Sequence, residues 1–261
     1  MRQAAVGFHC PDCVAEAART TRPARTFAGG LVPARVGVVS MVLIGINLAV
    51  WLLILATGGI GSQIYLQSGI IGGPLAPRFA IEGVADGAYW RLLTAAFVHS
   101  VPTGSQPTAI LHIAFNMYAL AIFGPLLEQM LGRLRFVALY VTGALVSSVA
   151  VYWFTDPRSF TIGASGAIFT LFGAAIVLLL RRGQDVSSLL MLLVINLVIT
   201  FAYPGISWQG HLGGLSAGLL LGCVFAYAPR PHRTAVQAAA FGLTAAALVV
   251  ATLARTAVLT S

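Results

Sequence analysis

Gly163-Ala164-Ser165-Gly166 stands at the head of the apolar run 164–180, and the fold depends on whether that run lies in water or in lipid. Composition decides for lipid. The chain is 58% hydrophobic and 8% charged, where soluble domains carry roughly 25% charged residues. A second run, 210–228, brings His211 to a similar expected depth. Polar side chains inside a bilayer need partners, and ionisable ones there mark function. The two residues read as a nucleophile and its base.

Outward from this pair, further apolar runs fall at 36–56, 108–127, 134–154, 187–203 and 235–257. A helix of about 20 residues, rising about 1.5 Å each, crosses a hydrocarbon core of about 30 Å. The expected fold is an all-α polytopic membrane protein of seven helices. Fifteen arginines, with no lysine, face seven acids for a net charge of +8, a balance that points to nucleic acid or to a lipid surface. Most of these arginines sit between apolar runs, so topology accounts for them and no nucleic-acid partner is expected. With the N-terminus cytoplasmic, Arg2, Arg19, Arg22, Arg25, Arg35, Arg133, Arg135, Arg181, Arg182, Arg230 and Arg233 lie inside. Only Arg78, Arg91, Arg158 and Arg255 lie outside. This positive-inside bias predicts a multi-pass protein of the inner or plasma membrane, its C-terminus and active-site opening extracytoplasmic.

Three segments stand apart from the apolar core. Residues 1–35 form a basic cytoplasmic tail without the continuous apolar stretch of a signal peptide, so the first membrane helix is expected to direct insertion. Its Cys10-Pro11-Asp12-Cys13 knuckle suits half of a tetrahedral zinc site, and the other reading is an unstructured tail with two free thiols. Three cysteines make no disulfide framework. Tyr89 to Phe97 is too short to span, and its Tyr, Trp and Arg suit the membrane interface. The last run, 235–257, has no ionisable residue before Arg255 and reads as an appended span.

Topology converts sequence position into depth. His112 and Asn116 share one helix face a turn apart, in the outer half of their helix. Ser165 lies in the first turn of its own helix, and His211 lies near the outer end of another. Four polar groups from three helices thus meet at one level. A serine with a histidine to take its proton is the minimum for covalent acyl transfer. His112, Asn116 and the free N–H groups at the start of the Ser165 helix can cradle an oxyanion, each donor worth roughly 3–4 kcal/mol in other hydrolases. Glu128 sits a membrane thickness away and Asp156 too far above, so a dyad is expected, its histidine oriented by the Phe169 ring. Gly210, Gly214, Gly218 and Gly222 lay a flat stripe beside His211 for close approach of the helix carrying Gly163, Gly166 and Gly173. Asn196 and Thr200 are read as packing residues and Cys223 as core. Glu128 with Arg133 and Arg135 is read as a charge cluster anchoring the inner loop.

The motifs Trp90-Arg91, His112-x-x-x-Asn116, Gly124-x-x-x-Glu128, Gly163-Ala164-Ser165-Gly166 and His211-Leu212-Gly213-Gly214 come in the order of the rhomboid intramembrane serine proteases, which the chain resembles over about 36–228. The resemblance implies a six-helix protease core at 36–228 with 235–257 as an extra helix. Ser165 would be the nucleophile and His211 the base. His112, Asn116 and the Ser165 N–H would line the oxyanion hole, and Gly163 would shape the turn. Trp90 and Arg91 would stabilise the first loop. Family members often stack a tyrosine on the histidine, and here Phe169 keeps the ring without the hydroxyl. The tail resembles the closing half of a zinc segment carried by some bacterial members, which implies a truncated module or a vestigial tail. The function expected is an intramembrane serine endopeptidase acting on transmembrane protein substrates in the lipid bilayer, with no cofactor for catalysis. A binding-only relative would lack the serine or the histidine, and a transporter would spread polar residues through the full thickness.

Overall fold

In the computed structural model, described over residues 2–3, 7–20, 24–73, 81–103 and 108–261, the chain is a bundle of helices. Arg22, Arg78 and the tail residues Met1 and Val6 lie outside the described residues. A short pairing of β1 (Arg2–Gln3) with β2 (Phe8–His9) precedes α1 (Pro11–Thr20). The long helices are α2 (Val38–Ala56), α5 (Thr108–Leu131), α6 (Arg133–Phe154), α9 (Trp208–Tyr227) and α10 (Arg233–Thr260). Small helices α3 (Gln63–Ser68) and α4 (Arg91–Thr94) fold the segment between α2 and α5. Two apolar helices, α7 (Ser165–Arg181) and α8 (Ser187–Ala202), are shorter than the rest.

Among the described residues five helices are long and apolar enough to cross a membrane unaided, where the sequence suggests seven spans. At 17 residues, α7 is about 26 Å long, less than the roughly 30 Å hydrocarbon core. Irregular chain leads into Ser165 in place of a further turn, which lipid tolerates only where protein surrounds it. α7 is indeed the central helix, buried almost continuously from Gly166 to Leu178. The outward faces of α2, α5, α8 and α10 carry exposed Leu52, Phe115, Val198 and Val250, a coat that suits hydrocarbon rather than water.

Glycines set how closely the central helices approach. A Cβ on Gly214 would collide with the Gly166 carbonyl, and one on Gly218 with the Thr170 carbonyl, so α9 lies backbone to backbone on α7. Gly166 in turn admits Ser147 of α6. Thr170 fixes the contact by donating to the Gly214 carbonyl at 2.8 Å.

Where α5 ends beside the start of α2, the charge cluster is built differently from the sequence expectation. α5 runs past Pro125 to Leu131, so Glu128 is helical and fully buried. Its Oε2 accepts from Val39 N at 3.1 Å and from Ser40 N at 3.4 Å, capping the start of α2 where backbone N–H groups have no internal acceptors. Arg133 Nε stands 3.5 Å from Glu128 Oε1. Arg135 does not join them: its Nε donates to Gln237 Oε1 of α10 at 2.7 Å. Residues 24–35 are tied in as well, with Ala28 N donating to the Met130 carbonyl at 3.1 Å and Gln237 Nε2 to the Ala28 carbonyl at 3.1 Å. Cys223, read as core, is exposed on the outer side of α9. At the opposite end of the bundle, α10 is latched to α6 by Tyr152 Oη with Thr256 Oγ1 (2.9 Å) and by Trp153 Nε1 donating to the Ala251 carbonyl (3.0 Å).

Candidate active site

The segment between α2 and α5 is a scaffold that ends at the serine. Arg91, 1% exposed, collects three carbonyls with its guanidinium: Glu82 at 2.8 Å, Leu66 at 3.0 Å and Gly69 at 2.7 Å. Trp90, which is half exposed, donates from Nε1 to the Gln67 carbonyl at 3.1 Å. Next to Gly69, Ile70 forms an antiparallel bridge with Thr161, N to O distances 2.8 and 3.0 Å. Two residues on, Gly163 N donates to the Ala95 carbonyl at 2.9 Å. The irregular chain before Ser165 is thus hydrogen-bonded on both sides of Ile162, and the buried Arg91 holds the platform it rests on.

Gly163 makes the turn at φ +124°, a conformation that side chains rarely adopt. α7 starts two residues later at Ser165, whose Oγ lies 2.8 Å from His211 Nε2. The His211 ring is stacked on Phe169, centroids 4.2 Å apart and planes at 14°, one turn below the serine. Its other nitrogen, Nδ1, stands 2.7 Å from Thr200 Oγ1 of α8. Thr200 belongs to the site rather than to general packing, and no residue pattern around it in sequence points to His211 because it sits on a separate helix. Asn196 is half-buried, its amide donating to its own helix at Leu192.

His112 closes the other side. Ser100 N donates to its Nδ1 at 3.2 Å, so a neutral ring carries its proton on Nε2. A Cβ built on Gly163 would fall 2.9 Å from that Nε2 and 3.7 Å from Ser165 Oγ. The absent side chain leaves a space flanked by a donor and by the serine oxygen. Asn116 is buried one turn below, with Nδ2 donating to the His112 carbonyl at 2.7 Å, so one of its two amide hydrogens is committed within its own helix.

His99 is a residue the sequence reading passed over. Fully buried, its ring lies 5.1 Å from that of His112, and its Nε2 meets Asn47 Oδ1 at 2.9 Å. Asn47 Nδ2 donates to the Leu43 carbonyl at 2.8 Å, which leaves Oδ1 as acceptor and His99 Nε2 as donor. His99 therefore backs His112 from the α2 side. The available signal was a histidine beside Ser100 in the segment that follows Trp90-Arg91.

Asp156 does not approach His211. It accepts from Arg158 N at 2.8 Å in the loop between α6 and α7. Cys10 and Cys13 lie at the start of α1, both exposed, and the backbone N–H groups of Cys13 and Asp12 hold the Cys10 thiol below its usual range. Among the described residues no group of three His, Cys, Asp or Glu is placed to hold a metal, so these cysteines amount to two ligands of the four that structural zinc needs.

The fold and this partly buried serine–histidine constellation define a polytopic α-helical membrane protein with the parts for acyl transfer. The Rhomboid domain model matches residues 86–228, and the chain belongs to the rhomboid family. YdcA of Bacillus subtilis (strain 168) is 36% identical over 145 residues, an alignment covering 53% of this chain and 68% of YdcA. GluP, a rhomboid protease of the same strain, is 34% identical over 140 residues, covering 52% of this chain and 26% of GluP. RHOMBOID-like protein 5 of Arabidopsis thaliana is 33% identical over 156 residues, covering 56% and 47%. The chain thus spans less than half of the latter two. Its class is that of the serine intramembrane proteases.

Proposed function

We propose that the chain is an endopeptidase that cuts within or beside the membrane-spanning segment of another protein, using Ser165 and His211 as a dyad. The observation that carries this reading is the 2.8 Å contact of Ser165 Oγ with His211 Nε2 inside the tightest helix pair of the bundle. Ser165 attacks the scissile carbonyl while His211 takes its proton and returns it to the leaving amine. A water deprotonated by His211 then releases the acyl-enzyme. The oxyanion develops in the space beside Gly163, where His112 Nε2–H and the first-turn N–H of Ser165 stabilise it and Asn116 has one amide hydrogen to add. No step needs a metal.

Substrate reaches this site from the lipid past α8, which buries Leu193 and Thr200 and brings Thr200 to His211. Peptide bonds held in a helix are closed to attack, so the substrate unwinds locally as it enters. The distribution of arginines supports a cytoplasmic N-terminus and a site opening to the extracytoplasmic face.

The test is cleavage of a type I membrane-protein reporter by the purified chain in lipid vesicles, beside Ser165→Ala and His211→Ala. Both substitutions are expected to abolish cutting and to block labelling by a fluorophosphonate probe. Cleavage that survives in Ser165→Ala would sink the dyad.

A further inference from the structure

We infer that Thr200 is the positioning residue of this site: its hydroxyl selects the tautomer and the ring flip of His211 that leave Nε2 free to accept the Ser165 proton. The inference rests on Ser165 and His211 being the reacting pair.

The argument is one of hydrogen-bond valence. Thr200 Oγ1 lies 2.7 Å from the Asn196 carbonyl and 2.7 Å from His211 Nδ1. A hydroxyl has one hydrogen and two lone pairs, whereas a carbonyl oxygen only accepts. Were the hydroxyl hydrogen turned to Nδ1, two oxygens with only lone pairs facing each other would be left at 2.7 Å in a buried place. The hydrogen therefore goes to Asn196, and Oγ1 accepts from Nδ1–H. With Nδ1 protonated, neutral His211 carries its lone pair on Nε2, 2.8 Å from Ser165 Oγ. All donors then run one way: Ser165 O–H to Nε2, Nδ1–H to Thr200, Thr200 O–H to the Asn196 carbonyl.

Phe169 cannot do this work. Stacking fixes the plane of the imidazole, but a half-turn about the Cβ–Cγ bond exchanges Nδ1 with a carbon and Nε2 with another carbon within the same plane. Only a polar partner at the ring edge distinguishes the two flips, and Thr200 is the one on the Nδ1 side. When His211 takes the serine proton, Nδ1–H stays where it is and Thr200 offers its lone pair to the imidazolium. No proton passes to Thr200. Because the hydroxyl comes from α8, displacement of that helix would unfasten the base.

A packing threonine and a positioning threonine are separated by Thr200→Val, which keeps the volume and loses the hydroxyl, and by Thr200→Ser, which keeps the hydroxyl. In vesicles with the reporter, Thr200→Val is expected to lower kcat roughly ten- to a hundredfold with KM unchanged, the scale of a misaligned catalytic group. Thr200→Ser is expected to restore most of that loss. Nitrogen-15 spectra of histidine-labelled protein, with the His211 signals identified by their loss in His211→Ala, should show Nδ1–H in the wild type and a share of Nε2–H in Thr200→Val. Wild-type kcat in Thr200→Val, or His211 as the Nε2–H tautomer in the wild type, overturns the inference. The wild-type spectrum decides even if Thr200→Val fails to fold. Cutting by Ser165→Ala would instead remove the dyad reading beneath it, while a silent Ser165→Ala beside a fully active Thr200→Val removes only the role of Thr200.

Discussion

Gly163 concentrates two requirements at one residue. The turn needs φ +124°, and the volume of a methyl group there is the space between His112 Nε2 and Ser165 Oγ. Gly163→Ala should therefore cost activity through both backbone strain and loss of the oxyanion space. We expect probe labelling of Ser165 to slow by about a hundredfold or more, the loss seen when one oxyanion donor is removed. The fold should survive, since strain of this kind amounts to about 1–3 kcal/mol. Labelling at the wild-type rate in a folded Gly163→Ala protein would show that the oxyanion forms elsewhere. The same residue-scale view explains the other side of the site. Ser100 N–H sets the tautomer of His112 as the Thr200 hydroxyl sets that of His211, so each imidazole is fixed by a partner from a different segment.

Between elements, the distance from Ser165 to His211 is set by α7 and α9 lying backbone against backbone. Gly214 and Gly218 make this possible, each leaving no room for a Cβ against a carbonyl of α7. A backbone carbonyl cannot rotate away, so Gly214→Ala or Gly218→Ala must push the helices apart. We expect a loss of about 1–3 kcal/mol in stability, the usual scale of overpacking, and slower labelling of Ser165 as the hydrogen bond lengthens. Gly45→Ala serves as the contrast, since nothing lies within 4 Å of a Cβ built there. It should be neutral or stabilising by up to about 1 kcal/mol from helix propensity. Thermal melts in one detergent compare the three, and equal melting points would mean that the α7–α9 contact tolerates expansion.

For the whole molecule, the arginine bias makes a testable statement about orientation. Cys10 and Cys13 are exposed near the N-terminus, and Ser261 is exposed at the end of α10. In sphaeroplasts a membrane-impermeant maleimide should label Ser261→Cys and leave Cys10 and Cys13 untouched until the membrane is opened. Labelling of the native cysteines from outside would invert the topology and, with it, the side from which water reaches Ser165. The length of α10 and its polar latches on Tyr152 and Trp153 make the last helix a fixed wall of the bundle. α8, with Thr200 at His211 and exposed Val194, Val198 and Phe201, is the side from which we expect substrate to enter.

Sequence by itself determined that this chain lives in lipid, because an apolar run of about 20 residues has no other place to go once charges are so few. It also marked Ser165, His211, His112 and Asn116 as residues of one level, since helix order and insertion direction convert position into depth. Depth is a local property of each helix and survives without knowing how helices pack. Azimuth is not local. Which face of α8 turns inward, and hence that Thr200 rather than Asn196 meets His211, is set by packing of α8 against α7 and α9. The same holds for Arg135, which reaches α10 instead of Glu128, and for Glu128, which turns from loop anchor to helix cap. Cys223, read as core from its place near the end of its helix, faces outward because the glycine stripe, and not the cysteine, is the face of α9 that the close contact with α7 consumes. Only the tertiary structure fixes these rotations, because a helix in lipid can turn about its axis at little cost until a neighbour's backbone or a buried hydrogen bond stops it.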